Sequence, residues 1–425
     1  MLAVRLYYYT NALMASLRAI GGYLLIPLLC LSVAVFYALQ GQVFSASSSM
    51  TKNSLVQSVP FKVWRRESFD FSDPAQVLTK ELVVRRVYFD PRKRNGYANA
   101  TVFLLEAKGT TLNGKRFHGC QVGHSFSDRF RFRPPRNYAW TQKHEHTTST
   151  LGLIDCFNIP RVENGDSATL YYNTSTGIVV EIHSQKPLFV PERKTVITPP
   201  AVTAVVCVGM IRAGAHPPSE HGMLYHWLLY QKVIGVDHVH MFVVDSFVRS
   251  GGLENDVIRQ AIREGYLSID FWPNWLNFTE VFDSQKLAYQ DCLYRFQGVY
   301  DYAIYADTDD FFVPLRKNKS IKHYLLTWCS GKHGTCNFAW KQLYPDCGWN
   351  PNLLGSDGNF TAAITYKKSE KLTVTKSGHQ VKAIVDAGTH YAMILLDGYT
   401  QASVPVKEAY FAHVRFGWPP KEGCK

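Results

Sequence analysis

Beyond Pro200 the chain alternates apolar, strand-like runs with helical patterns, and that alternation leaves few folds open. "AVTAVVCVGM" reads as a strand. Leu224, Trp227, Leu228 and Ile234 then form a helical stripe, with Ser219 placed to cap it and Gly235 to end it. "VDHVHMFVVDS" is a second strand, ending at Asp245. A helix through Val257–Arg263 follows, then the run "YLSIDFWP" and a helix from Ser284 to about Phe296, stopped by Gly298. The next strand is "YDYAIYADTDD". Strands alternating with helices of this length predict a parallel sheet with right-handed crossovers. Such sheets bind ligands beyond the carboxyl ends of their strands, and Asp245 and the cluster Asp307, Asp309 and Asp310 all fall there.

Three carboxylates at the tip of an aromatic strand repel one another, so either a solvated turn dilutes them or a cation sits among them. Asp307 and Asp309, two residues apart at a strand end, point to similar sides of the backbone. One can reach a hard divalent cation while the other fixes a water or a ribose hydroxyl. Oxygen ligands suit magnesium or manganese, and such an ion would neutralise a diphosphate as it leaves. About one D-x-D pair arises by chance in a chain this long, so the weight comes from its position at a strand end in an α/β setting. No G-x-G-x-x-G follows the first strand and no G-x-x-x-x-G-K-[ST] occurs, which leaves dinucleotide and P-loop phosphate sites without support.

The N-terminal half is organised differently. From Ile20 to Leu39 the sequence runs for twenty residues without a charge, enough to cross a bilayer as a helix. Arg5 and Arg18 precede it with no acid, which orients the first residues to the cytosol. The competing reading is a cleaved signal peptide, with Val43 and Ser45 preceding a cut before Ala46. Either way residues 40–425 are sent to a lumen or the exterior. Five sequons, at Asn99, Asn173, Asn277, Asn318 and Asn359, fit that route. So do nine cysteines: with Cys30 in the apolar run, eight remain, an even number suited to disulfides, for which roughly a hundred pairings exist. The net charge of +12 suits an anionic small substrate or membrane surface, and the secretory route removes nucleic acid as its reason.

Residues 40–77 read as a polar stem and residues 78–198 as a β-rich, sandwich-like domain. "ELVVRRVYFD", "ATVFLLEAKG", "LGLIDCFNIP", "SATLYYN" and "GIVVEIH" are short strand-like runs between turns. In "RFRFRPPR" the alternation predicts a half-buried strand with Arg129, Arg131 and Arg133 on a solvated face, or a groove for an acidic glycan. His144 and His146 in "KHEHTT" lack metalloprotease spacing. A proline-punctuated linker ends at Pro200, so the catalytic α/β domain is expected over 199–425, with 1–19 a cytosolic tail and 20–39 the anchor.

The segments "MLYHWLLYQKVIGVDHVHMFVVDS", "SQKLAYQDCLYRFQGVYDYAIYADTDDFFVP", "GHQVKAIVDAGTHY" and "FAHVRFG" together resemble glycosyltransferase family 92. The resemblance spans roughly residues 200–416 and is carried by Gln285, Asp291, Cys292, Leu293, Asp307, Asp309, Asp310, Phe311, Lys382, His390, His413 and Arg415. It implies a GT-A fold, the Rossmann-like architecture of nucleotide-diphospho-sugar transferases. It also implies a Golgi type II membrane enzyme that transfers galactose from UDP-galactose to a glycan acceptor on a glycoprotein, glycolipid or polysaccharide. The transfer would be inverting, form a β-1,4 linkage and depend on manganese or another divalent cation. By the same resemblance Asp309 and Asp307 are metal-site residues, with Asp307 on the ribose or a metal-bound water. His413 is either a third ligand or a core histidine. Asp245 is expected on the uridine or ribose, Lys382 or Arg415 on the diphosphate, and Asp346 or Asp310 as the base that deprotonates the acceptor. Two other classes compete: a carbohydrate-binding or adhesion protein on a catalytically dead GT-A scaffold, and a glycoside hydrolase using paired carboxylates.

Overall fold

The computed structural model describes residues 82–93, 96–108, 117–133, 149–159, 162–173, 179–183, 188–189, 202–211, 223–272, 281–316, 319–345, 366–388, 390 and 392–414. Among them no helix is long and apolar enough to cross a membrane; the Ile20–Leu39 run and the stem lie outside them.

Eight strands make up the N-terminal lobe: β1 (Leu82–Asp90), β2 (Ala100–Lys108), β3 (Phe117–Val122), β4 (Ser125–Ser127), β5 (Phe130–Arg133), β6 (Ser149–Phe157), β7 (Ala168–Asn173) and β8 (Val179–His183). They form two four-stranded antiparallel sheets, ordered β1-β2-β6-β5 and β4-β3-β7-β8. The expected sandwich is therefore present. Phe103, Leu105, Ile154 and Cys156 of the first sheet pack on Phe117, Cys120, Val122 and Leu170 of the second, and the Cys120–Cys156 disulfide joins the two.

The C-terminal lobe comprises β9 (Ala204–Ile211), α1 (Met223–Val233), β10 (His238–Val243), α2 (Asp245–Arg249), α3 (Asp256–Arg263), β11 (Leu267–Phe271), α4 (Val281–Arg295), β12 (Tyr302–Tyr305), β13 (Asp310–Pro314), α5 (Ile321–Trp328), β14 (His333–Pro345), β15 (Tyr366–Gln380), β16 (Ile384–Ala387), β17 (Ala392–Leu395), β18 (Thr400–Ser403) and β19 (Ala409–Val414). Apart from the β16–β17 hairpin, its strands form one sheet in the order β11-β10-β9-β12-β15-β14-β19-β13, with β18 beside β14. The four strands foreseen as parallel are parallel: β11, β10, β9 and β12. The order reverses at β9, because the chain walks outward through β10 and β11 and then returns to β9's other side as β12. Ligand sites of open α/β sheets form at such a reversal.

Period-two alternation sorts the two faces of this sheet. Ala204, Val206 and Val208 of β9, with Ile304 of β12, face Leu224, Trp227 and Leu228 of α1 and Tyr324 and Leu325 of α5. Val205, Cys207, Ala303 and Tyr305 face the other way, onto Leu287, Ala288 and Cys292 of α4. Cys207 and Cys292 form a disulfide, as do Cys329 and Cys336; Cys347 and Cys424 lie outside the described residues. The expected cap Ser219 lies outside the described residues, while the glycine expected to end α1 does so. Gly235 takes a φ of 90° just past α1, and Asn255 caps α3 through the backbone N–H groups of Val257 and Ile258.

The β-rich lobe is not a separate body, since Arg65–Lys425 form one compact unit. Val102 and Leu104 of β2 and Leu153 of β6 turn away from the sandwich and enter the cluster around α4. Buried ion pairs reinforce the seam. Arg86 of β1 pairs with Asp270 of β11 and with Asp291 of α4, and Arg295 bridges the same two acids. Arg92 pairs with Asp90 and donates to the carbonyls of Val381 and Ile384. Arg133 corrects the expected solvated arginine face. It is only 3% exposed, 2.8 Å from Asp155 and 3.3 Å from Asp386, because the β16–β17 hairpin and α4 cover that end of β5. Arg129 and Arg131 remain exposed.

A buried charge left without its partner is costly. Arg133→Met is therefore expected to destabilise this unit by about 3–5 kcal/mol, while Arg133→Met/Asp155→Leu, which removes both charges, recovers most of the loss. Urea unfolding of the purified chain checks this; equal stabilities for the single and double variants would show that the pair does not hold the seam.

Candidate functional site

The site forms where β12 ends. Tyr305 closes the strand, Ala306 leads into a tight turn that carries Asp307 to Asp309, and Asp310 opens β13 with its N–H on the carbonyl of Asp307, at 3.0 Å. Asp310 lies at the centre of the site, 0% exposed. Its Oδ2 accepts from the Asp307 N–H (2.9 Å) and lies 2.7 Å from Lys376 Nζ of β15. Its Oδ1 accepts from Trp340 Nε1 of β14 (2.8 Å) and lies 3.0 Å from His413 Nδ1 of β19. The indole N–H of Trp227 in α1 donates to its backbone carbonyl at 2.8 Å. Burial by itself would raise the carboxyl pKa, but Lys376 and His413 outweigh it and hold the group well below the usual carboxylate range.

Asp307, about one-third exposed, is held from both sides. Gln285 Nε2 of α4 donates to Oδ1 at 2.7 Å and Lys376 Nζ to Oδ2 at 2.7 Å. The approach of Gln285 depends on a glycine: a Cβ at Gly209 of β9 would stand 2.7 Å from Gln285 Cγ. Asp309 differs from both. Its Oδ1 is buried and accepts no hydrogen bond from the described residues, although His413 Nδ1 stands 3.4 Å away. Burial, and then the neighbouring negative charges, raise its pKa against the pull of His413. Burial disfavours the charge on His413, but the neighbouring Asp309 and Asp310 carboxylates prevail and lift it to about 9.

The expected site residues divide accordingly. Asp307, Asp309, Asp310 and His413 are brought together, and Asp309, Asp310 and His413 offer ligand atoms within 4.8 Å of one another. Asp245 lies at the carboxyl end of β10, on the same sheet edge; β9 alone separates β10 from β12, which puts the strands roughly 10 Å apart. Its Oδ2 pairs with Arg249 at 2.5 Å, while its Oδ1 is buried and accepts no hydrogen bond among the described residues. His390 packs against Trp340, with ring centroids 5.2 Å apart. Its Nδ1 is 2.9 Å from the carbonyl of Thr375, and burial lowers its pKa to about 4.

Two expectations are corrected. Asp310 is not placed to serve as a base, because it is sealed from solvent and both oxygens already receive two donors. Lys382 is not brought to the cluster. It is exposed, just past Gln380, and Gln380 pairs with Tyr302 at the opposite end of β12 from Asp307. The cation that does meet the acids is Lys376, which the sequence reading missed, since it sits in a lysine-rich run indistinguishable from a solvated strand. Asp346 and Arg415 lie outside the described residues. A second acid–histidine group, His240, Asp270 and Asp291, is the seam described above, already occupied by Arg86 and Arg295. Asp291 thus serves the fold.

The model of glycosyltransferase family 92 matches residues 204–422. No curated protein matches. Among solved structures, apo UDP-glucose pyrophosphorylase is similar at 6% identity over 50% of this chain and 90% of that one, with a TM-score of 0.24. The complex of UDP-glucose pyrophosphorylase with UDP-glucose is similar at 7% identity, the same shares and a TM-score of 0.24. At those scores neither likeness carries weight.

In chelator-treated protein His413 makes stability depend on pH. Its pKa rises from 6.5 unfolded to about 9 folded, so its contribution is complete below pH 6.5 and is lost as pH rises through 9. The loss is expected to reach about 3 kcal/mol. Denaturation midpoints measured from pH 6 to 10 should show that fall in the native chain and a flat profile in His413→Gln; parallel profiles would remove His413 from the charged cluster.

Proposed function

This chain belongs to glycosyltransferase family 92, and we propose that it transfers galactose from UDP-galactose, with inversion, to a hydroxyl of a glycan acceptor, forming a β-1,4 linkage with the help of a divalent cation. The observation that carries this reading is Asp309 Oδ1: a buried carboxylate oxygen without a hydrogen bond among the described residues, beside a histidine, at the carboxyl edge of a parallel sheet. A buried oxygen of that kind needs a cation or a donor. The residues fit a hard divalent ion such as Mn²⁺, held by Asp309 and His413. The hydrogen bond between His413 Nδ1 and Asp310 would orient the imidazole, as carboxylates commonly do for metal-binding histidines. Such an ion, when bound, neutralises the diphosphate as it departs.

The chain's own groups supply the rest. Gln285 and Lys376 fix Asp307 in one orientation, so that its remaining acceptor capacity is directed at a ribose hydroxyl. Asp245, with one oxygen on Arg249 and the other without a hydrogen bond among the described residues, is suited to a nucleoside hydroxyl further along the same edge. Arg415 directly follows Val414, whose N–H bonds the Asp309 carbonyl at 2.9 Å, and it is the cation proposed for the diphosphate. With Asp310 sealed, Asp346 is the base proposed for the acceptor hydroxyl. Membrane anchorage through residues 20–39 and a Golgi setting complete the reading.

The test is a donor screen with the detergent-solubilised full chain, with and without Mn²⁺. UDP-galactose consumption that needs the metal, and falls by roughly a thousandfold in Asp309→Asn, is expected. Metal-independent turnover or an unaffected variant would sink the reading. Gly209→Ala should leave folding intact but displace Gln285 from Asp307 and slow transfer on the order of 10- to 100-fold; an unchanged rate would show that the orientation of Asp307 is immaterial.

A further inference from the structure

Lys376 has a setting rare for lysine. It is 0% exposed, and it lies two residues before Gly378, the partner of Ile304, which extends the register to Ala306, just past the end of β12. Its ammonium is 2.7 Å from Asp307 Oδ2 and 2.7 Å from Asp310 Oδ2, and it stands 5.1 Å over the Trp340 ring. An ammonium has three protons; two acids and one aromatic face engage all of them. A lysine so occupied has no proton to offer a substrate phosphate.

We propose that Lys376 is a positioning residue of the transfer site: a built-in monovalent cation that occupies the gap between Asp307 and Asp310, confines the divalent ion to Asp309 and His413, and keeps that ion's affinity moderate. The proposal rests on the cation-assisted reading above and goes beyond it by assigning how the three acids are divided. Without Lys376 the turn holds three carboxylates whose fixed countercharge among the described residues is His413, and a divalent ion would be drawn between Asp307 and Asp310, away from the position that serves a leaving diphosphate. With it, two carboxylates are bridged and one oxygen is left over. Opposite charges a few ångströms apart in a shielded site interact by several kcal/mol, so the ammonium governs where the ion goes.

The consequence is unusual for a site residue: its removal should tighten metal binding while impairing transfer. The experiment measures Mn²⁺ binding to the detergent-solubilised full chain by the electron paramagnetic resonance of free Mn²⁺, alongside UDP-galactose turnover. Lys376→Met is expected to bind Mn²⁺ at least about tenfold more tightly than the native chain, with kcat lowered at least about tenfold. Asp310→Asn should bind it more weakly than the native chain, and Lys376→Met/Asp310→Asn, which restores the native net charge, should return close to native affinity. Where Lys376→Met does not fold, comparing the double variant with Asp310→Asn makes the same measurement, and equal affinities overturn the proposal. Unchanged or weaker binding in a folded Lys376→Met also overturns it, leaving Lys376 a structural residue while the cation reading stands. No Mn²⁺ binding to the native chain removes the cation reading and this proposal together.

Discussion

The catalytic lobe is organised around one buried carboxylate. Asp310 gathers a lysine from β15, an indole from β14, an imidazole from β19 and the backbone of its own turn, while its carbonyl takes the indole N–H of Trp227 from α1. A carboxylate buried without such partners would lose its charge or destabilise the fold by several kcal/mol; with them it fixes the positions of elements far apart in sequence. The neighbouring acids inherit their geometry from it. Asp307 is drawn to the lysine that Asp310 anchors, and Asp309 is turned toward the histidine that Asp310 orients. Among the described residues the donors go to Asp310, and Asp309 Oδ1 is left without one.

Much of this was legible in the sequence. The apolar runs from 201 to 310 announce a parallel sheet because strands buried on both faces must be continuously hydrophobic, and the structure has those strands. The acids at 307, 309 and 310 stood out because charge at the tip of such a strand needs a reason. His413 was legible only through its family pattern. Lys376 was not legible at all: "YKKSEKLTVTKSGHQ" has four lysines, and the antiparallel pairings of β15 with β12 and β14, contacts of long sequence range, distinguish the buried one. Arg133 misled for the same reason. Its alternation with phenylalanines was read correctly as a strand, but the elements that cover its face are contributed by residues beyond 290. The residues misread were those whose environment is set by long-range register, on which local periodicity is silent.

The proline-rich boundary near 198–200 marks a change of architecture but not an edge of the folded unit. Glycosyltransferase family 92 accounts for residues 204–422, yet three arginines from the preceding lobe, Arg86, Arg92 and Arg133, end on acids or carbonyls of that region. Asp291 shows how a family signature can carry structure: it lies in the same helix as Gln285, one helical face serving the site and another serving the seam.

Strand β2 carries that seam in its simplest form. Phe103 and Leu105 belong to the sandwich interior and Val102 and Leu104 to the layer around α4, so a single nine-residue strand is lipophilic on both sides. A chain cut at the proline linker would leave α4 with a bare greasy flank, and the excised front half would carry the matching one. Neither fragment would be a soluble module: mutations on one side of β2 are answerable to partners more than a hundred positions away.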